Sequence, residues 1–259
     1  MSPHVSLLPA STPRSAFGKL LGAEARYQWR VPWGLIFGIA IPMGMVLMFG
    51  LIPAANTPQK SMGGQTVFSA YLPAMLAFAI GFLALINLPT HLADYRQQGI
   101  LRRLGTTPVP QTWMLAAQVA INLALAVAAL VIVVVAATAG FGLGAPQEPG
   151  GFALTLALTI AALFAIGLWV SAIARTQNTA MWIGQLLWWP TLFFAGMLFP
   201  LSAMPAVLRD IGDWTPSGAA VHALKDSMLG TFPPAQLLLG LAGWAVVFGV
   251  LAVRFFRWE

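Results

Sequence analysis

The sequence predicts an all-α integral membrane protein with six transmembrane helices, an N-terminal amphipathic interface helix, a short helix in an inner loop, and two re-entrant outer helices between spans five and six. Three observations carry this fold class. Hydrophobic residues make up 59% of the 259 residues and charged residues only 8%, against about 25% in a soluble domain, so the chain has too little charge to cover a water-facing surface. Six apolar runs are long enough to cross ~30 Å of hydrocarbon, which takes ~20 helical residues. The ~10-residue alternation of barrel strands is missing, and lipid leaves backbone groups no other partner than a helix provides.

Taken in order, residues 1–32 form a cytoplasmic N-terminal tail. From Phe17 to Arg30, helical spacing places Lys19, Arg26 and Arg30 on one narrow stripe and Phe17, Leu20 and Leu21 on the opposite side. That is the pattern of a helix lying flat on an anionic membrane surface. Glu24 falls within the apolar face, where it either snorkels to water or pairs with a base of the 99–110 loop. Pro32 separates this helix from the first span. The spans are read at 33–52, 67–88, 113–139, 152–174, 180–199 and 235–255, with no long soluble domain left over, so residues 1–259 form a single transmembrane domain. The first run begins only after residue 32 and is followed by no small-residue cleavage site, which does not fit a cleaved signal peptide.

Basic residues set the orientation. With the N-terminus inside, Arg14, Lys19, Arg26, Arg30, Arg96, Arg102, Arg103, Arg175, Arg254 and Arg257 are cytoplasmic, and only Lys60, Arg209 and Lys225 are outside. Ten against three places both termini in the cytoplasm. The bases behind the net charge of +6 are divided among separate segments, which excludes a nucleic-acid surface. No acid or base sits well inside a span, which argues against an ion-coupled pump. Asn87, Gln118, Asn122, Ser171, Asn178 and Gln185 do lie within spans and are expected to hydrogen-bond between helices.

The loop between spans two and three reads "PTHLADYRQQGILRRLGTTPVPQ". Thr90 can cap a short helix there, Gly105 can end it, and Pro108 follows. Ile100, Leu101 and Leu104 give this helix an apolar side and Arg96, Arg102 and Arg103 a charged one. Between spans five and six, Pro200 and Pro205 interrupt an apolar run and Thr215-Pro216 starts another, which predicts two short helices dipping into the outer leaflet. Asp210, Asp213 and Asp226 face water or an exit path. His4, His91 and His222 lie on separate loops and the chain has no cysteine, so no metal cluster is expected. Ser217, His222 and Asp226 read as loop chemistry rather than a hydrolase triad.

Two segments resemble the permease subunits of ABC-2 type transporters, the family that includes daunorubicin-resistance (multidrug efflux) and polysaccharide-export permeases. "GILRRLGTTPV" is similar to the family's segment after span two through Gly99, Leu101, Leu104, Thr107 and Pro108. "FFAGMLFPLSAMPAVLRDIGDWTPSGAAVHALKDSMLG" is similar to its signature after span five through Gly196, Pro200, Pro205, Thr215-Pro216 and Ala223-Leu224-Lys225. The chain departs from many drug-export members in carrying Gln97 and Gln98, where they have acids before the glycine.

The resemblance implies that the 99–108 segment is a coupling helix seated in a groove of a soluble ATPase subunit, with Leu101 and Leu104 as its packing core and Arg102 and Arg103 as polar contacts. The chain has no phosphate-binding loop of its own, its one Gly-Lys pair, Gly18-Lys19, being followed by Leu20. The resemblance therefore implies a chain that is not an enzyme by itself and holds no cofactor, with ATP and Mg bound by two copies of the partner ATPase, and a second permease chain, identical or paralogous. Trp182, Trp188, Trp189, Phe193 and Phe194 on span five either line a path for a hydrophobic or amphipathic cargo or anchor the helix at the membrane interface. Export from the cell membrane is the function expected. The alternatives are a permease for a lipid-linked glycan, or a non-transporting integral-membrane enzyme or scaffold.

Overall fold

A computed structural model describes residues 13–59, 64–100, 110–199 and 204–255, and among these every regular element is helical. The order is α1 (Pro13–Arg30), α2 (Trp33–Leu51), α3 (Val67–Gln97), α4 (Gln111–Val135, continuing as a π turn over Ala136–Gly140), α5 (Pro149–Ile173), α6 (Gln177–Phe194), α7 (Ala206–Trp214), α8 (Pro216–Met228) and α9 (Ala235–Phe255). Five of them, α2, α3, α4, α5 and α9, are long and apolar enough to cross a membrane. Helix α6 has 18 residues but carries Gln177, Asn178, Gln185 and two threonines, and does not reach the same apolarity.

Helix α3 is the hub. Its most apolar window is 83% buried within the protein, against 22% for α2, 28% for α4 and 17% for α9, so the other helices pack around α3 and turn their remaining faces outward. The outward faces are aliphatic, with Val127 and Val131 on α4 and Leu239, Val246 and Val253 on α9, as lipid requires. Helix α9 packs along α5, and α8 wedges between α5, α9 and α3.

Three spans each contain one π-helical stretch, Ile36–Ala40 in α2, Leu83–Asn87 in α3 and Ala136–Gly140 in α4. The stretch in α3 immediately precedes Pro89, and the wider turn accommodates a residue whose ring would crowd the carbonyl four residues back. Gly167 of α5 and Gly184 of α6 lie against the backbone carbonyls of Ala84 and Leu85, leaving no room for a Cβ at either glycine. Backbone meets backbone there, and the π stretch is gripped from two sides.

The expected short helix starting at Thr90 is not a separate element. Helix α3 runs without interruption to Gln97, and the Thr90 hydroxyl donates back to the carbonyls of Ile86 and Asn87 at 2.7 and 3.0 Å, so Thr90 is interior and caps nothing. The stop is Gly99, whose φ of +69° lies in the left-handed region that glycine adopts freely. Gly105 and the rest of 101–109 lie outside the described residues. At the other end, α6 closes with Gly196 at φ +76°: the Gly196 N–H donates to Phe193 and the Met197 N–H to Leu192, at 3.0 and 3.1 Å, a Schellman stop. Two short helices, α7 and α8, follow as the prolines predict.

Candidate functional site

The loop joining α3 to α4 emerges from a densely fastened last helical turn. Four consecutive side chains, 94 to 97, reach three neighbouring helices. Asp94 receives a loose contact from the Tyr27 hydroxyl of α1 at 3.4 Å. The Tyr95 hydroxyl donates to Glu24 of α1 at 2.9 Å. Arg96 donates to the carbonyls of Ser171 and Ala174 at 3.2 and 2.8 Å, satisfying orphan groups at the C-terminus of α5 where a cation is favoured. The Gln97 side-chain oxygen accepts the Gln177 N–H at 3.2 Å, the first turn of α6. Gln98 folds back to Asp94 at 2.7 Å before Gly99 turns the chain away.

Helix α1 completes this end, and it does so by a different use of its apolar face than the sequence suggests. Phe17 meets Trp113 edge-on at 5.8 Å, and Leu20 and Tyr27 pack with Ile100 against Tyr95 and Met114. That face is spent on the protein itself. Lys19, Arg26 and Arg30 lie exposed on the opposite side, next to Trp29, which is 77% exposed.

Glu24 is only 3% exposed, so it does not snorkel. Both its oxygens are engaged by neutral donors, Oε2 by Tyr95 and Oε1 by the Gln118 amide of α4 at 2.6 Å; the bases of the 99–110 loop lie outside the described residues. Burial pushes this carboxyl above the usual carboxylate range, with the Tyr95 hydrogen bond opposing. The chain of polar groups continues inward. Asn122 donates to the Gln118 side chain at 3.1 Å, and Asn87, in the π stretch of α3, donates to Asn122 at 2.8 Å. Of the six polar span residues, Asn87, Gln118 and Asn122 thus bond between helices. Ser171 bonds within its own helix at 2.8 Å, and Asn178 is exposed.

Of the residues predicted for the coupling segment, Gly99 is described and has the geometry given above; Leu101, Arg102, Arg103, Leu104, Thr107 and Pro108 lie outside the described residues. The aromatic residues of α6 do not share one face. Trp188 is buried between the rings of Phe78 and Phe82 of α3, at 5.4 and 5.8 Å, whereas Trp182 and Trp189 point outward and are 70% and 53% exposed. Phe193 and Phe194 are half-buried.

The opposite end carries a second polar cluster. His222 of α8 bonds Asp213 of α7 at 2.9 Å through Nδ1, and its Nε2 lies 3.9 Å from Asp226. The Ser217 hydroxyl is buried without a hydrogen-bond partner, so Ser217, His222 and Asp226 do not form a nucleophile relay. Thr215 caps α8 by accepting the Gly218 N–H at 3.1 Å, and Gly218 fits directly under the Gly212 carbonyl, which ties the hairpin together. Burial lowers the Lys225 ammonium below its usual range, opposed by Asp226.

Sequence reasoning missed Tyr95 and the fastening role of Arg96. A tyrosine and an arginine at the end of a span carry no local signal beyond interface preference, and in the sequence Arg96 reads equally well as an orientation signal.

Residues 15–229 match the profile of the ABC-2 type transporter family. YvfS of Bacillus subtilis strain 168, named as a transport permease, is 23% identical over 232 residues, covering 89% of this chain and 92% of that protein. ABC transporter G family member 20 of Dictyostelium discoideum is 30% identical over 92 residues, 34% of this chain but only 12% of that much longer protein. The chain is a multi-pass membrane protein that belongs to the ABC-2 type transporter family, whose members are membrane components of transporters that normally work with an ATPase subunit.

Proposed function

We propose that this chain is the permease subunit of an ATP-driven exporter in the cell membrane, moving a hydrophobic or amphipathic compound outward. The observation that carries the reading is the last turn of α3: residues 94–97 are fastened to α1, α5 and α6 at once, so displacement of the adjoining loop is felt by the whole bundle. In this reading the 99–108 segment is the coupling helix. Leu101 and Leu104 pack in a groove of the ATPase, and Arg102 and Arg103 make charged contacts. ATP and Mg are held by two ATPase copies, and a second permease chain, identical or paralogous, completes the transporter.

The single transmembrane domain, 1–259, then has six spans, with α6 as the fifth. Its 18 residues reach ~27 Å at 1.5 Å each, and its ends meet α3 near the coupling loop and the α7–α8 hairpin on the outer side. Both termini are cytoplasmic. Helix α1, within the 1–32 tail, lies along the inner surface with Lys19, Arg26 and Arg30 toward lipid headgroups. The α7–α8 hairpin is re-entrant at the outer mouth, and Trp182 and Trp189 are the aromatics placed to meet cargo from a second chain.

Two measurements test this. A soluble ATPase encoded beside this chain is expected to co-purify with it and to hydrolyse ATP faster in the reconstituted complex than alone; absence of both refutes the reading. A reporter fused after Glu259 is expected in the cytoplasm and one inserted near Gln147 outside; an external C-terminus refutes the six-span topology.

A further inference from the structure

The loop at 98–110 has two stems, the end of α3 and the start of α4, and one carboxylate outside both joins them. Glu24, on α1, accepts from Tyr95 on the α3 stem at 2.9 Å and from Gln118 on the α4 stem at 2.6 Å. Deeper in, Asn87 of α3 and Asn122 of α4 bond directly at 2.8 Å, and Asn122 also donates to Gln118. The two stems are thus cross-tied at two levels, and at the level nearer the loop Glu24 accepts from both, beside a direct side-chain hydrogen bond between Tyr95 and Gln118. An apolar residue at this place would let α1 pack equally well against Tyr95 and Met114. A buried carboxylate is a costly choice for packing alone, because burying a charge is unfavourable unless its lone pairs are met. It supplies two directional acceptors at a fixed spacing, which packing does not.

We propose that Glu24 is a positioning residue: by accepting from both stems, it fixes the end of α3 and the start of α4 relative to each other, with α1 as the third support of that end of the bundle. The proposal rests on the reading of the 99–108 segment as the ATPase-docking element. Glutamine can replace it in kind, since its amide oxygen accepts from Gln118 and its NH₂ donates to the Tyr95 oxygen.

The chain has no cysteine, so Gln98→Cys with Thr112→Cys, one exposed position on each stem, takes a pair of spin labels without background. The distance between them, measured on the permease alone in lipid nanodiscs, is expected to be narrow with Glu24 in place, to broaden and shift in Glu24→Ala, and to return in Glu24→Gln. The affinity of the unlabelled variants for the ATPase subunit should follow: about tenfold weaker for Glu24→Ala, which loses both the Tyr95 and the Gln118 hydrogen bond and passes part of that loss on to docking, and close to the original for Glu24→Gln. If Glu24→Ala fails to accumulate, Tyr95→Phe and Gln118→Leu each remove one arm and carry the same test. A Glu24→Ala distance as narrow as the original, or a broad distance that glutamine does not restore, overturns the proposal. Because the distance is read without the ATPase, failure of the unaltered chain to bind that subunit strikes the docking reading and leaves the posture result standing.

Discussion

The polar clusters at the two ends of the bundle are both built around carboxylates and differ in their surroundings. At the loop end, Glu24 is 3% exposed and, among the described residues, is met by neutral donors from two helices. At the opposite end, Asp213 and Asp226 flank His222, whose side chain is 48% exposed. A buried carboxyl whose partners are taken away has nothing else to bond, so its neighbours are fixed relative to it. A half-exposed pair exchanges its partner for water at little loss. The cluster at the loop end therefore sets geometry, whereas the opposite one holds a hairpin whose shape already follows from Thr215, Gly212 and Gly218.

The largest effect is expected from Glu24→Ala, which takes their shared acceptor from the Tyr95 hydroxyl and the Gln118 amide. Each buried donor left unsatisfied costs about 1–3 kcal/mol, so thermal unfolding in detergent should show a marked loss, with Glu24→Gln close to the original. Equal stability of Glu24→Ala would remove the distinction between the two ends.

Next in size is Gly184→Ala. A Cβ at Gly184 runs into the Leu85 carbonyl, a backbone atom inside the π stretch, whereas Gly212→Ala meets only the Phe194 ring at an ordinary 3.5 Å. Overpacking costs about 1–3 kcal/mol, so Gly184→Ala should unfold at clearly lower temperature and Gly212→Ala should not. The same scan checks both.

A smaller effect concerns pH. Because burial raises the Glu24 carboxyl, the folded state holds that proton more tightly than the unfolded chain does. The corresponding stability is present in full below the ordinary carboxylate range and is lost as pH rises through the raised folded value. The difference in unfolding temperature between the original chain and Glu24→Gln should therefore shift in favour of glutamine as pH rises across that window. A difference independent of pH would mean that the carboxyl is not held above its usual range. Smallest of all is His222→Ala, expected to cost less than about 1 kcal/mol; a loss as large as that of Glu24→Ala would make the two clusters alike.

Hydropathy alone located the helices, because a run that must cross lipid is legible in composition. It also gave the two-helix break after α6, because prolines and Thr215-Pro216 act locally. The boundary of α3 was not legible in the same way. Thr90 is a good cap residue in isolation, but a helix already running has no orphan N–H for it to satisfy, and the π turn before Pro89 removes the reason to stop. Gly99 is the residue that ends α3, while Gly105 lies outside the described residues. The position of Glu24 on an apolar face was visible from spacing, yet its partners lie 71 and 94 residues away, and nothing local announces a tyrosine and a glutamine as its donors. Trp188 and Trp189 are adjacent and indistinguishable by composition, and only the packing of α6 on Phe78 and Phe82 separates the buried ring from the exposed one.

If the segment beyond Gly99 docks an ATPase, Arg102→Ala with Arg103→Ala should undo that docking. The surrounding spans keep their hydrophobicity, so the variant should insert normally. A well-made charge-assisted contact is worth ~1.5–3 kcal/mol, so losing two should weaken ATPase binding by roughly two to four powers of ten, while Lys60→Ala leaves it unchanged. The measurement is the affinity of the ATPase subunit for the permease in nanodiscs, read beside its stimulated hydrolysis, which reciprocal coupling requires to fall together with binding. Loss of both in the double arginine variant alone is the predicted result; a double variant that keeps the complex and the stimulation contradicts the account.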